Sequence, residues 1–108
     1  MSEVTLTEVD NGKSIAVQVG QKVILRLNEN PTTGFRWAVD TGNNEIIELH
    51  SSEYIRAPGS AVGGGGQRVF VFEAKRSGSV RLLLKLWREW EGDKSIASRF
   101  DVSIHVAN

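Results

Sequence analysis

Two adjacent hydroxyls, Thr32 and Thr33, stand between a proline and a glycine in the run Asn30-Pro31-Thr32-Thr33-Gly34-Phe35-Arg36-Trp37. To act as nucleophiles they would need a base to take the proton, and the sequence nominates none. His50 and His105 are isolated and read as surface residues, His105 on the polar face of its strand. No Asp/Glu/His grouping has a metal-ligand spacing, so neither a catalytic residue nor a metal site is expected. The run has instead the composition of a stiff, exposed loop. Pro31 sets φ at about −65°, Gly34 permits a backbone angle closed to side chains, and Asn30 can bond locally to close the turn. Phe35, Trp37 and Val39 then alternate with Arg36, Ala38 and Asp40 as in a half-buried strand. A clamped tip anchored by buried aromatics is built to present itself to something.

Two further stretches exceed what a core needs. Gly63, Gly64, Gly65 and Gly66 form a glycine run that enters a β-patterned segment at Arg68 to Phe72. A phosphate cradle would require a following helix N-terminus or a Lys-Ser/Thr pair, and Gln67-Arg68 supplies neither. Nucleotide binding is therefore not expected. The third stretch is Trp87-Arg88-Glu89-Trp90-Glu91-Gly92. Two tryptophans three apart on a strand point to opposite faces, so at most one joins the interior. Trp90, among Arg88, Glu91 and Gly92, is expected near water, and tryptophan and arginine dominate interface hot spots.

The elements that must carry these loops are strands. Val4 and Leu6 alternate weakly up to the turn signal Asp10-Asn11-Gly12. Ile15, Val17 and Val19 continue the pattern, and Val23, Leu25 and Leu27 lead into the first loop. A short strand is expected at residues 53–56 after the apolar Ile46, Ile47 and Leu49, followed by a long glycine-rich loop. Phe70, Phe72 and Ala74 face inward, as do Phe100, Val102, Ile104 and Val106. Residues 80–90 also fit a helical face, but Val80, Leu82, Leu84 and Leu86 alternate with Arg81, Leu83 and Lys85, and no capping box precedes them. The expected fold class is all-β, an immunoglobulin-like β-sandwich with three functional loops at one end and a single domain over residues 1–108.

With 108 residues the chain can bury a core without disulfide or metal. Thirteen basic and 13 acidic side chains cancel, which removes the long-range field that would favour nucleic acid or an anionic membrane. No cysteine is present, so a thiol nucleophile and cysteine-ligated zinc are excluded. No apolar run reaches the roughly 18 residues of a membrane helix. The first residues lack the basic and apolar blocks of a signal peptide, so a cytoplasmic location is expected for the chain as it stands; a periplasmic or secreted one would require a leader.

Taken together, the three stretches resemble the chagasin family of cysteine-protease inhibitors. The motif Asn-Pro-Thr-Thr-Gly, then an aromatic, a residue and Trp, is matched by residues 30–37. A second, Gly-x-Gly-Gly followed after three residues by Phe-x-Phe, is matched by Gly63, Gly65, Gly66, Phe70 and Phe72. The third, Arg-Pro-Trp, is kept at its ends by Arg88 and Trp90, with Glu89 in place of proline. The resemblance implies a reversible, tight-binding inhibitor of papain-like cysteine proteases, not an enzyme, working as a monomer without a cofactor. Asn30, Pro31, Thr32, Thr33 and Gly34 would fill the catalytic cleft, with Thr32 reaching its centre. Gly63, Gly64, Gly65 and Gly66 would lie along the substrate groove, and Arg88 and Trp90 would pack on the opposite flank. Phe35, Trp37, Phe70 and Phe72 would be scaffold. Without the proline the third loop is expected to be less preorganised, with Trp90 ordering on binding. The alternative is an immunoglobulin-like adhesion or assembly module that uses the same loops on a non-protease partner; a small hydrolase using the threonines is a third.

Overall fold

The computed structural model describes residues 3–41, 45–56 and 65–108. The strands are β1 (Glu3–Leu6), β2 (Ser14–Gln18), β3 (Lys22–Glu29), β4 (Arg36–Thr41), β5 (Ile47–Arg56), β6 (Gly66–Ala74), β7 (Gly78–Trp87) and β8 (Ser98–Ala107). They form two four-stranded sheets, β1-β3-β6-β5 and β2-β8-β7-β4. The ambiguous 80–90 stretch is a strand as far as Trp87, as its period-two pattern predicts.

Alternation places the core between the sheets. Val23, Leu25 and Leu27 of β3 and Phe70, Phe72 and Ala74 of β6 meet Leu82 and Leu84 of β7 and Phe100, Val102 and Ile104 of β8, all buried. Trp37 joins them from β4, and its indole N–H donates to the Asn28 carbonyl at 2.9 Å. Burying a side chain of this size contributes about 1.5–3 kcal/mol. Neither of the other tryptophans enters the core: Trp87 lies on the outer face with the Lys85 ammonium 3.6 Å from its ring centroid, and Trp90 is off the strand altogether.

Three features depart from the alternation alone. The predicted strand over 53–56 begins earlier, at Ile47, because a bulge between Leu49 and Ser51 shifts the register. Before it Leu49 pairs with inward Phe72; after it Ser52 pairs with inward Phe70, so the inward parity changes within one strand. The first strand stops at Leu6, where Glu8–Asp10 turns as a 3-10 segment and the Asp10 carboxylate accepts from the Thr7 amide at 2.9 Å. Finally, two strand pairs are parallel, β1 with β3 and β2 with β8.

Antiparallel pairing brings the three loop regions to one end. Glu29, the last residue of β3, pairs with Gly66, which in turn pairs with Arg56. Across the sandwich Arg36 pairs with Trp87, and Leu86 with Ser98. The β3–β4, β5–β6 and β7–β8 connections therefore leave the sandwich side by side.

Candidate functional site

The first loop is a single 3-10 turn, Pro31–Thr33, closed at both ends by its own residues. Asn30 Oδ1 accepts from the Thr32 amide at 3.1 Å and from the Thr32 hydroxyl at 2.7 Å. The Thr33 hydroxyl donates to the Asn30 carbonyl at 2.7 Å and accepts from the Phe35 amide at 3.3 Å. Gly34, at φ +82°, ends the turn in the left-handed region and donates its amide to the Pro31 carbonyl at 3.1 Å. Both hydroxyls are thus spent inside the turn, with no base beside them. This is a shape-holding device rather than a nucleophile.

The third loop braces the first. Arg88 donates from Nε and Nη2 to the Thr33 carbonyl at 3.2 and 3.1 Å, and from Nη1 to Glu91 at 3.2 Å. Its guanidinium carbon also lies 4.4 Å from the Phe35 ring centroid. Trp90 is 74% exposed, yet the edge of its ring lies over Gly34: a methyl added there would be 2.8 Å from the indole. The loop holds its shape without the family proline. Glu89–Glu91 and Asp93–Ser95 form successive 3-10 turns, and the Ser95 hydroxyl accepts from the Arg88 amide at 2.9 Å while lying 2.7 Å from the Gly92 carbonyl. In this arrangement the Trp90 ring rests against Gly34, and Ser95 ties Arg88 to Gly92 beneath it.

Of the glycine loop, Gly63 and Gly64 lie outside the described residues. Gly65 is exposed, and a methyl added to it would lie 3.6 Å from the Glu29 carbonyl, so the second loop leaves directly beside the start of the first. Gly66 differs from expectation. It is buried as the first residue of β6, and a side chain there would meet the Ile55 carbonyl and, at 2.6 Å, the Tyr54 hydroxyl. Its lack of a Cβ serves packing against Tyr54 and Ile55 within the chain.

Between the first and third loops runs a cleft of about 350 Å³ bordered by Pro31, Gly34, Phe35, Arg36, Glu89 and Trp90. At its floor is Glu29, 4% exposed. Its carboxylate accepts from the Trp37 amide at 2.7 Å and from Arg68 Nη2 at 2.9 Å and Nε at 3.2 Å. The two histidines are elsewhere, His50 within 3.1 Å of Glu48 and Glu73, and His105 2.9 Å from the Ser79 hydroxyl. Among the described residues no group of three potential ligands could hold a metal ion.

A family model described as chagasin family peptidase inhibitor I42 matches residues 16–104, a span that takes in all three loops. The chain belongs to the chagasin family of peptidase inhibitors. It is 32% identical to chagasin of Trypanosoma cruzi over 101 residues, covering 90% of this chain and 92% of that protein. In fold it is similar to the cysteine protease inhibitor EhICP2 of Entamoeba histolytica, with a TM-score of 0.85 at 18% identity over 97% of this chain and 95% of that one. It is also similar to PbICP-C, solved in complex with falcipain-2, with a TM-score of 0.70 at 13% identity over 98% and 90% of the two chains.

Within this chagasin-family frame, the structure sorts the residues singled out in the sequence. Pro31, Thr32, Thr33 and Trp90 are exposed at the loop end, with Gly34 half-buried beneath the Trp90 ring. Asn30 and Arg88 are half-buried and direct their polar atoms at the Thr32-Thr33 turn, so both shape it from within. Glu29, Arg68 and Ser95 escaped the reading of the motifs. A signal for the first two was present: both fall on the inward positions of alternations that otherwise hold Leu25, Leu27, Phe70 and Phe72.

Gly34→Ala is expected to be costly for two separate reasons, the left-handed φ and the absence of room below Trp90. The backbone term alone is about 1–2 kcal/mol, which should lower the thermal midpoint by roughly 5–10 °C. An unchanged melting curve would show that the turn does not hold Gly34 in that conformation.

Proposed function

We propose that this chain is a reversible, tight-binding, non-covalent inhibitor of papain-like cysteine proteases that occludes the catalytic cleft with loops at one end of its sandwich. The reading rests on one observation above the others: a pre-folded Thr32-Thr33 turn in which both hydroxyls and the Asn30, Pro31 and Thr33 carbonyls are already engaged within the chain. Proteases of this kind bind substrates extended, through main-chain pairing along the groove. Here the Asn30 and Pro31 carbonyls are engaged by the turn, and that of Thr33 by Arg88. A segment wound this way fills the cleft without presenting an extended peptide for attack. Because the turn is ordered beforehand, binding avoids about 0.5–1.5 kcal/mol per side chain that would otherwise have to be fixed.

Thr32 and Thr33 form the wedge and Pro31 and Gly34 hold its outline. Trp90 supplies a large apolar contact on one flank, with Asn30 and Arg88 setting the wedge from within. On the other flank the backbone at Gly63, Gly64 and Gly65 approaches the substrate groove. Inhibitor interfaces typically bury about 1,600 Å² in total, which three loops at one sandwich end can supply.

The test is competition for the cleft. Calorimetric titration should give tight binding to papain whose active-site cysteine carries only a small blocking group. Binding should be lost when the cleft is filled by an irreversible peptidyl inhibitor. Equal binding to both forms would mean attachment away from the active site, as an adhesion or assembly module would show.

A further inference from the structure

Glu29 and Arg68 form an ion pair in the interior of the loop end, with side chains 1% and 13% exposed. A buried pair is a poor way to add stability, since desolvation offsets the attraction and apolar residues of similar volume often do as well. Its placement suggests another use. Glu29 is the last residue before the 30–34 turn, and its carboxylate accepts the amide of Trp37, the second residue of β4 beyond the turn. One carboxylate therefore ties the two ends of the loop together. The same carboxylate receives Arg68 in a two-pronged contact, at 2.9 Å from Nη2 and 3.2 Å from Nε. Arg68 is the third residue of β6, two positions beyond the last glycine of the run, and Glu29 is the backbone partner of Gly66.

We infer that the Glu29–Arg68 pair is a positioning clamp that fixes the Thr32-Thr33 turn relative to the exit of the glycine loop. Directional bonds suit this task in a way that apolar packing does not. The guanidinium fork and the amide of Trp37 each define an angle as well as a distance, whereas aliphatic contacts tolerate sliding. The other three sides of the turn are held by Asn30, Arg88 and the ring of Trp90; the clamp holds it from below. Glu29 and Arg68 are thus positioning residues, with no contact to the protease required of either. The inference deepens the inhibitor reading and rests on it for its functional consequence.

The experiment compares the wild type with Glu29→Met/Arg68→Met, which removes both charges together at similar volume, and with Glu29→Gln, which keeps an oxygen for the Trp37 amide. Each is measured by thermal unfolding, by backbone order parameters in the free protein, and by papain inhibition well below its melting point. The double variant leaves no unpaired charge behind but strips the buried Trp37 amide of its acceptor, so its midpoint should fall by roughly 5–15 °C while the protein still folds. Its order parameters at residues 32–34 should fall from about 0.85 towards 0.6 while those of Leu25 and Phe72 stay put, and inhibition should weaken by about tenfold or more. Glu29→Gln should lie between the two. Wild-type order parameters and inhibition in the double variant would overturn the clamp, as would a wild-type turn already below about 0.6. If the double variant does not fold, Glu29→Gln decides by the same readouts: an unchanged turn and unchanged inhibition overturn the inference. Failure of the wild type to inhibit would count against the proposed function alone, since the order parameters judge the clamp without any protease.

Discussion

Thr32→Asp is expected to weaken inhibition of a papain-type protease by at least about a hundredfold, or about 2.7 kcal/mol, while the protein stays folded. Two effects add. In the free inhibitor the Thr32 hydroxyl donates to Asn30 Oδ1 at 2.7 Å, and an aspartate cannot donate, so two oxygens would face each other and the turn would open. In the complex a carboxylate at the tip of the wedge would be taken out of water without a partner supplied by the inhibitor. An unpaired polar group costs a few kcal/mol on burial and a charge more. The fold should tolerate the change because Thr32 is exposed and contributes nothing to the core. Thr32→Ser, which keeps the hydroxyl, should stay within about tenfold of wild type. Undiminished inhibition by the aspartate variant would sink the wedge.

Trp90→Ala should cost about 2 kcal/mol or more of binding, roughly thirtyfold, chiefly as faster dissociation. A tryptophan 74% exposed contributes little to folding, so the melting temperature should hardly move while affinity falls. That separation is the signature of a contact residue. The turn should survive the truncation, since Asn30 and Arg88 still hold Thr32 and Thr33 by four hydrogen bonds. Unchanged affinity would reduce Trp90 to a cover over Gly34, and the flank contact would have to be sought elsewhere, with Glu89 the first residue to try.

Much of this architecture is legible in the residues because period-two alternation reports directly on which side chains face the core. It named the inward sets of β3, β6, β7 and β8 correctly. Alternation is silent, however, about which strand lies beside which, and the two parallel pairings have no sequence signal of their own. Bulges hide strands for a related reason. In β5 the residues opposite the inward positions of β6 pass from Ile47 and Leu49 to Ser52 and Tyr54, and a reader following one parity sees only the end of the strand.

The site shows the same division. Asn30, Pro31 and Gly34 announce a turn by their intrinsic backbone preferences, and the turn is there. The support beneath it is harder to read, because it depends on residues distant in sequence. Arg88 meets Thr33 across 55 positions and Arg68 meets Glu29 across 39. Glu29 was still detectable in principle, as a charge at the fourth inward position of β3. In the third loop the bond that reaches Arg88 comes from Ser95, seven residues on, which no motif marks.

The central claim is that the loop end fills a protease's catalytic cleft and comes away intact. It is tested most directly by titrating papain activity with the purified protein at fixed substrate, then recovering the inhibitor for mass measurement. The account predicts inhibition that completes near one molecule per active enzyme, is relieved by more substrate, and leaves the chain uncleaved at the 30–34 turn. No inhibition of papain or of a second papain-type enzyme at micromolar protein, or inhibition accompanied by cleavage between residues 30 and 34, would contradict it.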